Sequence, residues 1–510
     1  MAFLDALLRL LAPPKKMAAD SRAAGSKTDV KIERRSAAHP SFVPGASADG
    51  AIIVMIADLD GEGGSVVADR LADLLATSQG IATARRHEAL RLTGPGGSVD
   101  KLIAAAEQGR AWLHDLPADL LVWGELSAET NTVLYRFLPA YAEPDGAVGA
   151  FGLGDVLDLP IAPGRVGEQV IVATILAAAV RAKVGPKAPA VGALRGVLAD
   201  TPDLAENSLA TLTPAQGASV LLGQGHAFAA DLRCGGADDR LEKATACYRA
   251  ATGRITALTD PLLWGVAENH RAAALIALAE RDENSSPLTE AATAYRAVIE
   301  ALPRVEFPID WALAQVRLGG TLFRLGRMAG KPQHYREAAA AYEQALTVFT
   351  SAAHPLRWSE LMNHYGVLLI ALGEHLSGTA ALEQAVMVFR KSLDVRRREA
   401  MPLLWAQTAV NLGTAAFALA KRNGDGAALR ESAACFEGAI EIYAQNGQGK
   451  TVGTLQKNLQ RVQRLIETRG EKLAASVAPK GAQAVNAPKD AEAPAKVAAG
   501  AVKPPANNKK

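Results

Sequence analysis

Proline recurs every 47 residues through the second half of this sequence, and this period limits the fold more than any other feature. The five prolines are Pro214, Pro261, Pro308, Pro355 and Pro402. Tryptophan stands three positions after each of the last four, at Trp264, Trp311, Trp358 and Trp405. A period of roughly 20 to 50 residues is typical of repeat proteins, in which each unit buries an apolar face against its neighbours. We therefore predict a stack of five units.

Two further sets of positions predict a pair of helices, A and B, in each unit. A small residue, which lets a neighbouring helix approach closely, follows eight positions after each tryptophan slot: Gly225, Ala272, Gly319, Gly366 and Gly413. Later in the unit, a mostly leucine column, a mostly alanine column and an aromatic column follow at offsets of three and four, which define one helical face. The aromatic column is Tyr248, Tyr295, Tyr342, Phe389 and Phe436. Proline is expected to open helix A, because the first turn needs no N–H from it.

The order of small residue, alanine, aromatic and small residue resembles the tetratricopeptide repeat pattern. Gly319, Ala338, Tyr342 and Ala345 show it in one unit. The resemblance covers about 255 residues, 214–468, but the unit is 47 residues long instead of the usual 34 or so. It implies a mainly α protein whose second half is a tetratricopeptide-like α-solenoid of five repeats, with Thr451 to Thr468 as a capping helix. The resemblance also implies that the solenoid binds other proteins.

Residues 51–185 are predicted to form a small mixed α/β domain before the repeats. Ala51 to Asp60 (AIIVMIADLD) is an apolar run typical of a buried strand, and Ser65 is expected to cap a helix that ends near Ala76. A second strand is expected near residues 80–85 and a helix over 98–114. Residues 119–126 (DLLVWGEL) and 133–138 (VLYRFL) are expected to pair through a turn. An apolar helix over 164–183 completes the domain.

This region resembles, more weakly, the TolB amino-terminal-like module that is often fused to tetratricopeptide arrays in bacteria. The match rests on VMIADLDGE, on ADRLADLL and on Ala118 to Leu126. The resemblance implies an accessory binding domain and brings no catalytic residues with it.

The remaining segments are predicted to be flexible or connecting. Residues 1–50 are a leader, residues 186–213 a linker, and residues 469–510 a disordered tail rich in Ala, Pro and Lys. Within the leader, one apolar face of Met1 to Leu11 is a candidate for docking in the repeat groove or on a membrane, although a single basic residue within the helix argues against the membrane. That face is formed by Phe3, Leu4, Leu7, Leu8 and Leu11.

Charge and cysteine content exclude several classes of function. With 55 Lys and Arg against 53 Asp and Glu, the net charge of +2 gives no field that would recruit nucleic acid. The three widely spaced cysteines fit neither a disulfide framework nor a zinc site. The order of charges at the N-terminus is wrong for a secretory signal. These observations predict a cytoplasmic protein.

Few residues are candidates for chemistry, and we predict no enzyme, cofactor or metal. The glycine-rich turn from Asp58 to Ser65 could cradle a phosphate, but it lacks the lysine of a P-loop, and its carboxylates would repel one. Trp112, Trp123 and Glu125 are a candidate ligand pocket, although Trp123 sits in an apolar strand and fits the core. The three histidines of the predicted A helices, expected on the surface or in the groove, are His226, His270 and His364. Cys247 and Cys435 share one repeat column and are expected to be small core residues.

The inner face of the A helices is the best candidate for a binding site. In tetratricopeptide register it comprises Val266, Asn269, Ile276, Leu313, Val316, Phe323, Arg324, Asn363, Val367, Ile370, Val410, Thr414 and Phe417. The slots where some tetratricopeptide proteins carry Lys and Asn to clamp a carboxylate include Val316, Gly320, Val367 and Val410, which favours an apolar or amphipathic ligand. The alternative is that some of these residues pack against neighbouring repeats.

The sequence thus predicts a non-catalytic scaffold or adaptor that binds segments of a partner protein, with self-association left open. The alternative function is a sensor whose α/β domain binds a small molecule or nucleotide and whose repeats transmit the signal.

Overall fold

The protein is mainly helical, and a small mixed sheet precedes its helix pairs. The computed structural model describes residues 51–93, 98–116, 118–141, 146–180, 188–200 and 209–477. The predicted leader and its amphipathic segment from Met1 to Leu11 lie outside the described residues, as does most of the predicted tail.

Five strands and two helices form the first part of the chain. In chain order they are β1 (Ile52–Asp58), α1 (Gly64–Ala76), β2 (Ile81–Ala89), α2 (Ser98–Asp115), β3 (Leu120–Ser127), β4 (Thr132–Pro139) and β5 (Val156–Pro160). The strand order is β2-β1-β3-β4-β5. Strand β1 is parallel to β2 and β3, whereas β4 is antiparallel to β3 and β5. The predicted mixed sheet and its hairpin are confirmed.

Two details of this part differ from the sequence prediction. Strand β5 was not predicted, because its five residues follow a glycine-rich stretch and end at Pro160, which gives too short an apolar pattern. The prediction that Ser65 caps α1 was wrong. Gly63 is the N-cap residue with φ of 83°, no side chain caps the helix, and Ser65 lies inside its first turn.

Two helices connect the sheet to the repeated helix pairs. Helix α3 (Gly164–Ala179) is buried on nearly every side, because the sheet, α4 (Pro189–Asp200) and the first of the paired helices all pack on it. Ala190, Val191 and Leu194 are the fully buried contacts of α4. Part of the predicted linker is therefore a packed helix.

Ten helices then form five successive pairs, followed by a terminal helix. They are α5 (Pro214–Arg233), α6 (Arg240–Arg254), α7 (Pro261–Arg281), α8 (Ser286–Ala301), α9 (Pro308–Ala329), α10 (Pro332–Leu346), α11 (Pro355–His375), α12 (Ala380–Val395), α13 (Pro402–Asn423), α14 (Gly426–Gln445) and α15 (Gly449–Val477). Each A helix begins at the predicted proline. Each B helix packs on the A helix of its own pair and on the A helix that follows.

The glycine and aromatic columns meet in the four pairs that carry a glycine at this position, as the small-residue column predicted. A Cβ placed on Gly225, Gly319 or Gly366 would lie 2.5 Å from the ring of Tyr248, Tyr342 or Phe389 respectively. Such a separation is too short for two carbon atoms. The glycine therefore lets the aromatic ring of helix B lie directly on the backbone of helix A.

Helix α15 extends beyond the predicted cap, to Val477, so the predicted tail begins inside this helix. Leu455 and Val462 are buried against α14, and Gly470 lies just after the predicted cap. A single glycine costs a helix only about 1 kcal/mol, so packing overrides it, whereas Pro479 follows the observed end.

The sheet and the first helix pair share one hydrophobic core. It runs from Ile52 in β1 through α3 and α5 to Ala274 in α7. A second core runs from Ala272 to Val462 through the later pairs. By length and composition, α13 is the one described helix that could span a bilayer, and 67% of its apolar window is buried among its neighbours.

Candidate functional site

The structure divides the thirteen predicted groove residues by their exposure. Four are buried in the helix packing, namely Asn363, Ile370, Val410 and Thr414. Arg324 is exposed, and its guanidinium forms an ion pair with Glu280. The other eight are half-buried: Val266, Asn269, Ile276, Leu313, Val316, Phe323, Val367 and Phe417. Only the half-buried and exposed members can contact a partner without rearrangement.

On the first helix pair, a segment of the same chain covers the A-helix face. We call residues 148–158 the junction segment, because they lead from the sheet into β5 along α5. The segment runs antiparallel to α5. Arg233, at the C-terminal end of α5, donates to the carbonyl of Val148 at 2.6 Å. Ser219, near its N-terminal end, accepts from the amide of Asp158 at 3.1 Å.

Between these two ends the contacts are close. The ring centroids of Phe151 and His226 lie 4.5 Å apart. A Cβ on Gly149 would lie 2.6 Å from Ala229, and a Cβ on Gly154 would lie 2.9 Å from Val266 of α7. The glycines therefore let the backbone of the junction segment lie directly on the helices.

The junction segment contacts the columns that the sequence assigned to the groove. Ser219, His226 and Ala229 of α5 hold the same repeat positions as predicted groove residues in later pairs. The equivalent positions in later repeats, at multiples of 47 residues, are as follows. Ser219 corresponds to Val266 and Leu313, His226 to Val367 and Thr414, and Ala229 to Ile276, Phe323, Ile370 and Phe417. In the first pair, this face thus binds a polypeptide segment.

A polar cluster lies where the junction segment crosses from α5 to α7. One carboxylate oxygen of Asp155, Oδ1, lies 3.2 Å from Nε2 of His226 and 2.7 Å from Nε2 of His270. The other, Oδ2, accepts from the amide of Gly152 at 2.6 Å. Nδ1 of His226 lies 3.0 Å from the hydroxyl of Tyr248. The side chains are buried, with 6% of Asp155, 2% of His226 and 9% of His270 exposed.

Burial and the electrostatic interactions among the side chains shift the pKa values of the cluster. Burial disfavours the charged form of Asp155, but the attraction of His270 and hydrogen bonds from both imidazoles outweigh it, and the pKa of Asp155 falls well below its usual range. Burial lowers the pKa of His226 to about 4, and electrostatic repulsion from His270 acts in the same direction. Burial raises the pKa of Tyr248 well above its usual value. At neutral pH the cluster therefore contains a carboxylate, a neutral His226 and a protonated tyrosine.

Sequence reasoning missed this cluster. These histidines were expected on the surface or in the groove. His226 holds a predicted groove column, but the junction segment buries both side chains, so neither lies on the surface. His364 is exposed, as expected. The two buried histidines are 44 residues apart, which is one period less about one helical turn, and that offset places them on facing turns of consecutive A helices. Asp155 belongs to no sequence motif, and only the folded path of the chain brings it close to the histidines.

The glycine-rich turn between β1 and α1 has a structural explanation. Asp58 forms an ion pair with the buried Arg85 at 2.6 Å. A Cβ on Gly61 would lie 2.3 Å from the carbonyl oxygen of Leu126, and one on Gly64 would lie 1.9 Å from that of Leu59. The glycines are needed for backbone packing, which favours a plain turn over a phosphate cradle.

The candidate pocket around the tryptophans lies in the core. Trp112 and Trp123 are buried behind the sheet with Met55 and Leu121. Glu125 accepts from Arg136 at 3.3 Å. The core interpretation of Trp123 is confirmed.

A small cavity lies beside the junction segment. Phe151, Gly149, Arg233 and Tyr141 are among the residues that line it. Its volume of about 10 Å³ is room for roughly one water molecule, so it does not admit a metabolite.

The B helices carry a ladder of ion pairs between consecutive pairs. The rungs join Arg249 to Glu290, Arg296 to Glu337 and Arg390 to Glu431. In the remaining rung Glu343 and Gln384 face each other, and Tyr365 lies between them. The Tyr365 hydroxyl donates to Glu343 at 2.5 Å and accepts from Gln384 at 2.9 Å. Neighbouring pairs are thus tied by polar contacts as well as by the core.

No protein-family model matches this sequence, and no curated protein matches it. Two solved structures show a partial likeness. The crystal structure of BtubC (BKLC) from P. vanneervenii is 18% identical, with 49% of this chain and 99% of that chain covered at a TM-score of 0.32. A structure described as the DHF58 filament is 18% identical, with 39% of this chain and 97% of that chain covered at a TM-score of 0.25. TM-scores at this level do not establish a shared fold.

Proposed function

We propose that this protein is a non-catalytic, cytoplasmic scaffold whose helix pairs form a tetratricopeptide-like solenoid that binds an apolar segment of a partner protein. The observation that carries the proposal is the junction segment. It lies on the groove columns of the first pair, and the same columns recur in the four later pairs.

The chemistry of the later columns indicates the class of partner. Where the first pair presents Ser219, His226 and Ala229, later pairs present at the corresponding positions Leu313, Val367 and Phe417, which are half-buried. Apolar columns of this kind favour an apolar or amphipathic segment, because the free energy comes from area removed from water. The α/β domain is an accessory unit whose junction segment occupies one end of the groove.

The cytoplasmic location belongs to the same proposal. The three cysteines form no disulfide with one another, which fits a reducing compartment. A soluble scaffold also accounts for α13, whose apolar surface is largely buried by its neighbours.

A photo-crosslinking experiment in the native cell tests the proposal. A benzophenone amino acid replaces Phe323 or Phe417 in the full chain, and the matched control carries it at Met387, which is 47% exposed on a B helix. We expect one covalent adduct of the same mass from both groove positions and none from position 387. We also expect Phe417→Asp to abolish the adduct formed from position 323, with the helical circular dichroism unchanged.

Adducts of equal yield from all three positions, or none from the groove positions, would overturn the proposal. Mass spectrometry of the adduct identifies the partner and shows whether the cross-linked peptide is apolar.

A further inference from the structure

Asp155, His226 and His270 bring three possible metal-ligand atoms close together. One oxygen of Asp155 and one nitrogen of each histidine lie within 4.8 Å of one another. The two oxygen-to-nitrogen distances are 2.7 and 3.2 Å. Two ligands that each lie about 2.0 to 2.2 Å from a zinc ion are separated by roughly 3 to 3.5 Å, which is close to both oxygen-to-nitrogen distances.

The surrounding contacts hold these ligand atoms in place. The amide of Gly152 binds Oδ2 of Asp155 and so directs Oδ1 towards the histidines. The hydroxyl of Tyr248 contacts the far nitrogen of His226, Nδ1, so that Nε2 points at Asp155. Metal-binding histidines are generally held by such a partner on the second ring nitrogen.

We propose that Asp155, His226 and His270 bind one divalent transition-metal ion and that this ion fastens the junction segment to the first two A helices. Two imidazoles and one carboxylate suit zinc and neighbouring divalent metals better than Ca²⁺ or Mg²⁺, which take oxygen ligands. The ion replaces the two N–H···O hydrogen bonds to Asp155. Each imidazole then carries its proton on Nδ1, and that of His226 is donated to the oxygen of Tyr248.

The simpler alternative is a hydrogen-bonded latch without a metal. In that state Asp155 accepts from both Nε2–H groups, and Tyr248 donates to Nδ1 of His226. The two states differ in which ring nitrogen of His226 carries the proton, and metal uptake distinguishes them.

The test uses the full chain, stripped with a chelator and then titrated with Zn²⁺ and, separately, with Co²⁺. The variants are His270→Gln, which keeps an N–H for Asp155, and Tyr248→Phe, which keeps the ring. The control is His364→Gln, because His364 holds the same repeat position as His270 two units later but is exposed. Bound metal per chain, the visible Co²⁺ spectrum and the melting temperature are measured.

We expect about one Zn²⁺ per chain, a higher melting temperature with metal, and a Co²⁺ spectrum typical of nitrogen and oxygen ligands. His270→Gln should weaken binding at least tenfold. Tyr248→Phe should weaken it by roughly 10- to 100-fold, as loss of the partner of a ligating histidine does. His364→Gln should bind like the wild type.

Wild-type protein that takes up no Zn²⁺ or Co²⁺ would overturn the proposal and leave the hydrogen-bonded latch. Equal uptake by the wild type and a folded His270→Gln would overturn it too. If His270→Gln does not fold, Tyr248→Phe decides, because unchanged affinity and an unchanged Co²⁺ spectrum in that variant count against this site.

Discussion

The first helix pair and the later pairs share one framework but present different inner faces. In both, an aromatic ring of helix B lies on a small residue of helix A, as Tyr248 does on Gly225 and Phe389 on Gly366. The inner columns differ, because His226 of the first pair corresponds to Val367 in the fourth. The comparison teaches that the framework fixes how units stack, while the inner columns vary from unit to unit and, in the proposed function, determine what each unit binds.

The largest expected effect comes from the shared framework. Phe389 is fully buried, so Phe389→Ala should lower the free energy of unfolding by about 3 to 5 kcal/mol in urea denaturation followed by helical circular dichroism. Phe436→Ala should cost a similar amount, since Phe436 lies in the same column. Met387→Ala, on the exposed side of α12, should change it by less than about 0.5 kcal/mol. Equal losses of unfolding free energy in Phe389→Ala and Met387→Ala would contradict a framework built on the aromatic column.

The second effect is specific to the first pair. Asp155→Ala leaves His226 and His270 without their buried acceptor and should cost about 1 to 3 kcal/mol with chelator present. The matched control is Asp158→Ala, because the Asp158 carboxylate accepts only a weak bond from Gln216 at 3.5 Å. Limited proteolysis should show faster cleavage around the junction segment in Asp155→Ala alone. The same cleavage rate in both variants would mean that the cluster does not hold the segment.

A smaller effect concerns the ladder between B helices. Tyr365→Phe removes both hydrogen bonds of the rung between Glu343 and Gln384, which should cost about 1 kcal/mol. A double-mutant cycle on Arg390 and Glu431, which are more exposed, should give a coupling of about 0.2 to 1 kcal/mol that weakens in high salt. A larger and salt-independent coupling for Arg390 and Glu431 would show that the exposed ion pair contributes more than the Tyr365 rung, contrary to this prediction.

The smallest effect concerns Cys435, which holds in the last pair the repeat position of Cys247 in the first. Burial raises the pKa of the Cys435 thiol to about 12, so almost none of it is thiolate at pH 8. Because thiolate is the reactive form, alkylation of Cys435 should be on the order of a hundredfold or more slower than that of a model thiol with a pKa of about 8.5. Its rate should rise steadily as pH is raised towards 12. Mass spectrometry of iodoacetamide-treated protein measures it, and a rate that levels off near pH 9 would contradict the prediction.

The helix pairs were predictable from sequence because their signals repeat. Each proline opens a helix for a local steric reason, and five copies of one pattern make the columns visible. The strands of the sheet were predictable where they form long apolar runs, as in β1 and β3. Strand β5 was not, because Val156–Pro160 is paired by its position beside β4 and not by its own pattern.

The junction cluster was beyond sequence reasoning for a different reason. His226 and His270 hold different columns, and Asp155 lies more than sixty residues before them in a stretch without periodicity. Their meeting depends on the path that the chain takes from β4 to β5 across α5. The inner-face prediction could not separate Thr414 or Val410 from Phe417, because their burial depends on how neighbouring A helices approach one another.

The antiparallel course of the junction segment along α5 gives the proposed groove a direction. A guest polypeptide that lies on the later A helices can extend freely towards α13, but near α7 it meets the chain's own residues at Gly154 and Asp155. In the proposed function, the junction segment therefore closes one end of the groove. A guest segment that reached this end would be held in a single register.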